Sequence, residues 1–139
     1  GAENEIRACI ERQARGERAY WAITLKDDPG ELIGRISLAP DNRSRDQRGF
    51  WIDPLFQRQG LMTEAVERIT AYAFLELGWA ELWLTNAAGN VASSRIKARQ
   101  GAELVARIDG EYVSGPGVRE VWLLRREAWQ EKRSRSKLK

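Results

Sequence analysis

A short apolar run, Phe50-Trp51-Ile52, stops at Asp53-Pro54, and a few residues later the chain has changed period from a strand's to a helix's. Met62, Ala65, Val66, Ile69, Tyr72, Ala73 and Leu77 recur at spacings of three and four, and Gly78 follows as a stop. Between strand and helix lies a loop, Pro54 to Gly60, rich in amide side chains and holding one glycine. The first amides of a helix have no internal partner, and the helix dipole places partial positive charge there. Such a junction is a ready anion site, and Gly60 is where a diphosphate would approach the backbone most closely. The plain alternative is an ordinary strand-to-helix turn that uses a glycine for its shape. One glycine does not decide between them.

The rest of the chain supplies the frame. Ile6, Cys9 and Ile10 fall at helical spacing in Asn4 to Arg15, with Gly16 after them. Ala19 to Lys26 alternates, with Trp21, Ile23 and Leu25 on one side. Asp27-Asp28-Pro29-Gly30 is a turn signal, so Glu31 to Leu38 should return as the second arm of an antiparallel hairpin. A polar loop, Pro40 to Arg48, leads into a third strand, Gly49 to Asp53. Ala80 to Thr85 reads as a fourth strand. Asn90 is a good N-cap for a helix over Val91 to Gln100, Lys97 and Arg99 suit its C-terminal end, and Gly101 stops it. Glu103 to Ile108 and Val118 to Arg125 read as the last strands, joined by a glycine-rich connection, Asp109 to Gly117. Strands joined by a helix should run parallel and hairpin arms antiparallel. The expectation is an α/β or α+β sandwich with helices on both faces of a mixed sheet.

Composition narrows the chemistry. With 139 residues the chain suits one domain, read here as residues 1–129. There is no histidine and one cysteine, which rules out Ser-His-Asp and Cys-His nucleophile systems, His-ligated metal and thiolate metal sites. Cys9 falls on an apolar helix face and reads as packing. No apolar run is long enough to span a bilayer and no signal peptide is visible, so no membrane partner and a cytoplasmic setting are expected. The net charge of +3 is uneven: residues 130–139 hold five basic residues and one acid, leaving 18 and 19 in the body. That basic C-terminal tail reads as a solvated, mobile end rather than a nucleic-acid or anionic-surface binder.

At this point the chain resembles the GNAT superfamily of acetyl-CoA-dependent N-acetyltransferases, and within it the RimJ/RimL type that acetylates protein N-terminal amines. Two motifs carry the resemblance, in the right order and at the right distance. The family's pyrophosphate motif, Q/R-x-x-G-x-G/A, reads here Gln57-Arg58-Gln59-Gly60-Leu61-Met62, departing at its last position but continuing as the type's "GLMTEA". Its N-x-x-S reads Asn90-Val91-Ala92-Ser93, followed by Arg95-Ile96, Arg99 and Gly101-Ala102, with alanine in place of a phenylalanine. Gly49 to Pro54 is similar to the family's "GYWLxP", and Leu123 to Trp129 to its closing strand.

The resemblance implies an acyl-CoA N-acyltransferase fold: a mixed, mostly antiparallel twisted sheet whose central parallel pair, Gly49 to Asp53 and Ala80 to Asn86, splays apart. The pantetheine arm of acetyl-CoA would pair with backbone groups in the gap, including Trp51, Ile52 and Asn86. Amides from about Arg58 to Thr63 would hold the diphosphate, with Gln57, Arg58, Gln59, Gly60, Leu61, Met62 and Thr63 around it. Arg58 either adds charge or faces water. Asn90 either bonds the arm or caps its own helix.

The amine would attack the thioester directly, without an acyl-enzyme, with a backbone amide of Gly49 to Pro54 as oxyanion donor. Ser93 matches the family serine and would donate to the leaving sulfur, or simply bonds backbone in the first helical turn. Some relatives carry a glutamate two residues before the "GYW" glycine, where this chain has Gln47. The remaining proton acceptors are Asp53, Glu103 and Glu111, with Tyr112 as an acid, and a water relay would also serve. The family usually opens with a further strand and helix, so the chain is expected to be a fragment or to lack that unit. A domain that holds CoA or acyl-CoA without efficient turnover, and a pure interaction domain, are the competing readings. A homodimer is common in this type, although the sequence does not show one.

Overall fold

The computed structural model of the protein describes residues 18–25, 27–43, 45–56, 60–112 and 115–137. The helix expected over Asn4 to Arg15, with Cys9, lies outside them. The chain divides into two compact units, residues 1–78 and 79–139.

In the first unit, β1 (Ala19–Leu25), β2 (Asp28–Leu38) and β3 (Arg48–Ile52) form an antiparallel sheet in that order. Trp21 faces Ile36 across the ladder and Ile36 faces Phe50. β1 buries Ala19, Trp21 and Ile23 on alternate residues, as the period predicts. Leu25 is only half-buried, because the register slips on either side of Thr24 and the strand turns away. The turn is shorter than its sequence signal: Leu25 already pairs with Asp28. At Gly34 a Cβ would lie 2.6 Å from the Trp51 carbonyl oxygen, so β2 and β3 meet this closely only because that residue is glycine.

Helix α1 (Leu61–Ala71) lies against β2 and passes into a π-helical turn, Tyr72–Glu76, where the Leu77 N–H reaches the Tyr72 carbonyl at 3.0 Å. The inserted residue rotates the end of the helix. Ala65, Val66, Ile69 and Ala73 are buried as the stripe predicts, but Thr70 and Phe74 join them, while Met62, Tyr72 and Leu77 stay half-buried. Tyr72 meets Trp21 edge to face at 5.8 Å. Gly78, at φ 72°, ends the helix as expected.

In the second unit, β4 (Glu81–Ala87), β6 (Gly115–Arg125) and β5 (Glu103–Tyr112) are antiparallel, with β6 in the centre. The glycine-rich connection expected over Asp109 to Gly117 is instead a continuation of both strands, paired as far as Tyr112 with Gly115. Gly110 stands opposite Gly117, and a ladder of backbone bonds needs no side chains to continue. Among the described residues every strand pairing is antiparallel. β3 and β4, expected as the splayed pair, are each an edge strand of their own sheet.

Helix α2 (Val91–Gln100) has the predicted bounds. The last strand ends at Arg125, as the reading of Val118 to Arg125 expects, and α3 (Arg126–Lys137) begins there, so the family-like segment Leu123 to Trp129 is strand only as far as Arg125 and the basic segment expected as a mobile tail is helical to Lys137. Its anchor is Trp129, 1% exposed, with the Arg133 guanidinium 4.9 Å from its ring. α3 packs on α2 and β6. Gly101, at φ 103°, lets α2 stop against it, since a Cβ there would lie 3.0 Å from the Ala128 carbonyl oxygen.

Candidate active site

In the first unit, β3 hands the chain to a 3-10 turn, Pro54–Phe56, and Asp53 makes the corner. Its N–H donates to the Ile33 carbonyl at 2.7 Å, its carbonyl accepts from Phe56 N–H at 2.9 Å, and its carboxylate accepts from Leu55 N–H at 2.9 Å. That is a capping role, the Asx-turn use of aspartate. Trp51 is exposed and Ile52 half-buried. Gln57, Arg58 and Gln59 lie outside the described residues. Gly60 sits at φ 75°, ψ −1° as the residue before α1, and provides no side-chain cap. The Glu64 N–H bonds to its carbonyl at 3.0 Å as the first intrahelical bond, which leaves the amides of Leu61, Met62 and Thr63 without a partner among the described residues. A Cβ on Gly60 would meet nothing within 4 Å, so the approach is open. Thr63 is exposed and Met62 half-buried.

In the second unit the polar groups gather where β4 ends and α2 begins. Asn90 caps α2, its Oδ1 accepting from the Ser93 N–H at 3.1 Å. Its Nδ2 has no partner among the described residues. The Asn86 amide nitrogen donates to the Ala87 carbonyl at 2.9 Å, Ser94 Oγ at 3.0 Å and Glu120 Oε1 at 3.1 Å. Asn86 Oδ1 is buried and has no hydrogen-bond partner among the described residues. Ser94 Oγ donates to Glu120 Oε1 at 2.7 Å, and the Arg107 guanidinium stands 3.6 Å from Glu120 Oε2. Ser93 and Lys97 are both buried, and Lys97 Nζ donates to Ser93 Oγ at 2.6 Å.

Ser94, Lys97, Arg107 and Glu120 were not singled out as site residues from the sequence. Glu120 is a buried acid at the start of the apolar run Val121 to Leu124, and that position was the available signal. Lys97 was assigned to the helix C-terminal end, but a helical side chain leans toward the N-terminus and reaches the residue four before it. The hydrogen bond from Ser94 holds the Glu120 carboxyl below its ordinary 4.5, helped by Asn86 and Arg107 and opposed by burial. A carboxylate kept ionised in this way is a tie rather than a proton acceptor. With the folded-state value depressed, its contribution to stability is complete above the ordinary glutamate range and is lost as pH falls through the lower folded-state value. Denaturant melts should therefore show wild type well above Glu120→Gln at neutral pH, with the gap closing in acid. A gap independent of pH would contradict this.

The position where some relatives carry a glutamate holds no proton acceptor. Gln47 is buried, and its Nε2 donates to the carbonyls of Ala39 at 3.2 Å and Pro40 at 3.3 Å. A glutamate there would face those two oxygens with none of these donors. Glu103 is exposed at the start of β5, and the side chains of Glu111 and Tyr112 lie outside the described residues.

Fold and motif coincide with known proteins. A family model described as an acetyltransferase (GNAT) domain matches residues 1–103. The chain therefore belongs to the GNAT acetyltransferase domain family. It is 36% identical over 90 residues to a Bacillus subtilis (strain 168) protein named as a ribosomal N-acetyltransferase, YdaF, covering 62% of this chain and 49% of that one. Among solved structures, a ribosomal-protein-S5-alanine acetyltransferase from Vibrio fischeri superposes with a TM-score of 0.73 at 17% identity, over 86% of this chain and 68% of that one. RimL, a ribosomal L7/L12 alpha-N-protein acetyltransferase in complex with coenzyme A, superposes with a TM-score of 0.71 at 19% identity, over 88% and 70%. At those identities the likeness shows the fold alone, which is the α/β acyl-CoA N-acyltransferase fold expected. The chain spans about half the length of the curated relatives it matches. No helix among the described residues is long and apolar enough to cross a membrane.

Proposed function

We propose that the protein transfers the acetyl group of acetyl-CoA to a primary amine, by direct attack within a ternary complex, and that residues 1–129 serve as one catalytic domain. The observation that carries the reading is the α1 start: a left-handed glycine, no side-chain cap and three amides without a partner among the described residues, in a chain of this family. The amides of Leu61, Met62 and Thr63 take the diphosphate, with Gln57, Arg58 and Gln59 in the loop before them. The orphaned Asn86 Oδ1 suits an amide N–H of the pantetheine arm, and Asn90 offers its Nδ2 to the same arm. A backbone amide near Trp51 and Ile52 steadies the developing oxyanion, and Ser93 donates to the leaving sulfur. Asp53 is the group that would take the amine's proton, directly or through water, with Tyr112 as an acid. The acceptor is a protein N-terminal amine or a small-molecule amine, and a homodimer is the assembly that the RimJ/RimL resemblance suggests.

One observation favours a second reading, a CoA or acyl-CoA holder with little turnover: Gln47 is engaged as a donor and cannot serve as a base. Thiol release from acetyl-CoA over a panel of peptide N-terminal and polyamine acceptors separates the two. Acceptor-dependent release supports the transferase. CoA binding without release supports the holder, and absence of CoA binding overturns both.

A further inference from the structure

Lys97 is 1% exposed and Ser93 4% exposed, and they meet at 2.6 Å on consecutive turns of α2. Burying an ammonium is costly, and residues of this kind are seldom buried without a partner. The structure assigns Lys97 a role as the positioning residue for Ser93, a proposal that rests on the reading of Ser93 as the donor to the leaving sulfur. An ammonium has donors only, so Ser93 Oγ must accept from it. The hydroxyl's single hydrogen is left for another acceptor, and the adjacent positive charge strengthens it as a donor. The Ser93 N–H is already fixed by Asn90, so the residue is held from both sides.

In the transfer, the amine nitrogen bonds to the carbonyl carbon, the carbon–sulfur bond breaks with its electron pair on sulfur, and the amine's surplus proton passes to solvent. Ser93 stabilises the departing thiolate by hydrogen bonding, and Lys97 keeps Ser93 set for it. Lys97 thus acts through Ser93 and touches neither substrate.

The test is a double-mutant cycle on kcat and KM, using acetyl-CoA and whichever panel amine gives the fastest thiol release. Lys97→Met and Ser93→Ala should each lower kcat about ten- to a hundred-fold. KM for acetyl-CoA should change less than about threefold, and the double variant should be no slower than Ser93→Ala. Lys97→Gln keeps a donor without the charge and should recover part of the rate, which space-filling alone would not do. If Lys97→Met unfolds, judged by a thermal melt, the Lys97→Gln and Ser93→Ala/Lys97→Gln pair completes the same cycle. Wild-type kcat in the Lys97 variants, or losses that multiply in the double variant, would overturn the role of Lys97 while leaving the transferase intact. An unmodified protein that binds acetyl-CoA without turnover removes the transferase reading, and this proposal with it.

Discussion

Gly60→Glu should weaken CoA binding by about a hundredfold or more, measured by calorimetric titration. Two effects add. Gly60 occupies φ 75°, where a side chain costs roughly 1–3 kcal/mol of backbone strain. The new carboxylate then sits at the positive end of α1, in competition with the diphosphate for the same amides. Because a Cβ at this position meets nothing within 4 Å, internal crowding plays no part, and controls can separate strain from charge. Gly60→Asn tolerates the left-handed conformation and carries no charge, so it should retain most of the affinity. Gly60→Ala should fall between the two. Equal affinity across the series would remove the diphosphate from this helix.

Trp129→Ala should produce the largest loss of stability, about 3–5 kcal/mol, read from urea melts followed by circular dichroism. The side chain is 1% exposed and holds α3, which packs on α2 and β6. Since Gly101 at the end of α2 stands directly against Ala128, loosening α3 should also release the end of the helix that carries Ser93 and Lys97. A loss below about 1 kcal/mol would mean that α3 is not anchored through this ring.

Much of the architecture could be read from periodicity. β1 alternates, α1 carries its stripe, and α2 falls between an asparagine cap and a glycine stop, so its bounds were predicted correctly. What failed were the places where local signals are silent or shared. The end of the last strand at Arg125 follows its apolar pattern, but the helix that starts at Arg126 has no such local signal, since its basic sequence reads as a solvated tail and its anchor is the packing of Trp129. The hairpin of β5 and β6 runs through glycines because its pairing is set by backbone bonds, which leave no side-chain pattern. The π turn at Tyr72 moves Phe74 inward, which strict helical spacing cannot anticipate.

The placement of candidate site residues was legible where geometry follows from sequence neighbours. Gly60, Asn90 and Ser93 lie within single strand-to-helix junctions. Glu120 and Lys97 were not legible, because their roles depend on which strand pairs with β4 and which way a long side chain leans. Asp53, read as a proton acceptor, and Gln47, at the position of some relatives' glutamate, make backbone contacts that only the folded chain shows.

The most direct measurement is an amide-resolved NMR titration of the protein with CoA. The backbone amides of Leu61, Met62 and Thr63 should shift strongly and saturate together with Asn86 and Asn90. Saturable binding that leaves the amides at the start of α1 unmoved would contradict diphosphate binding there.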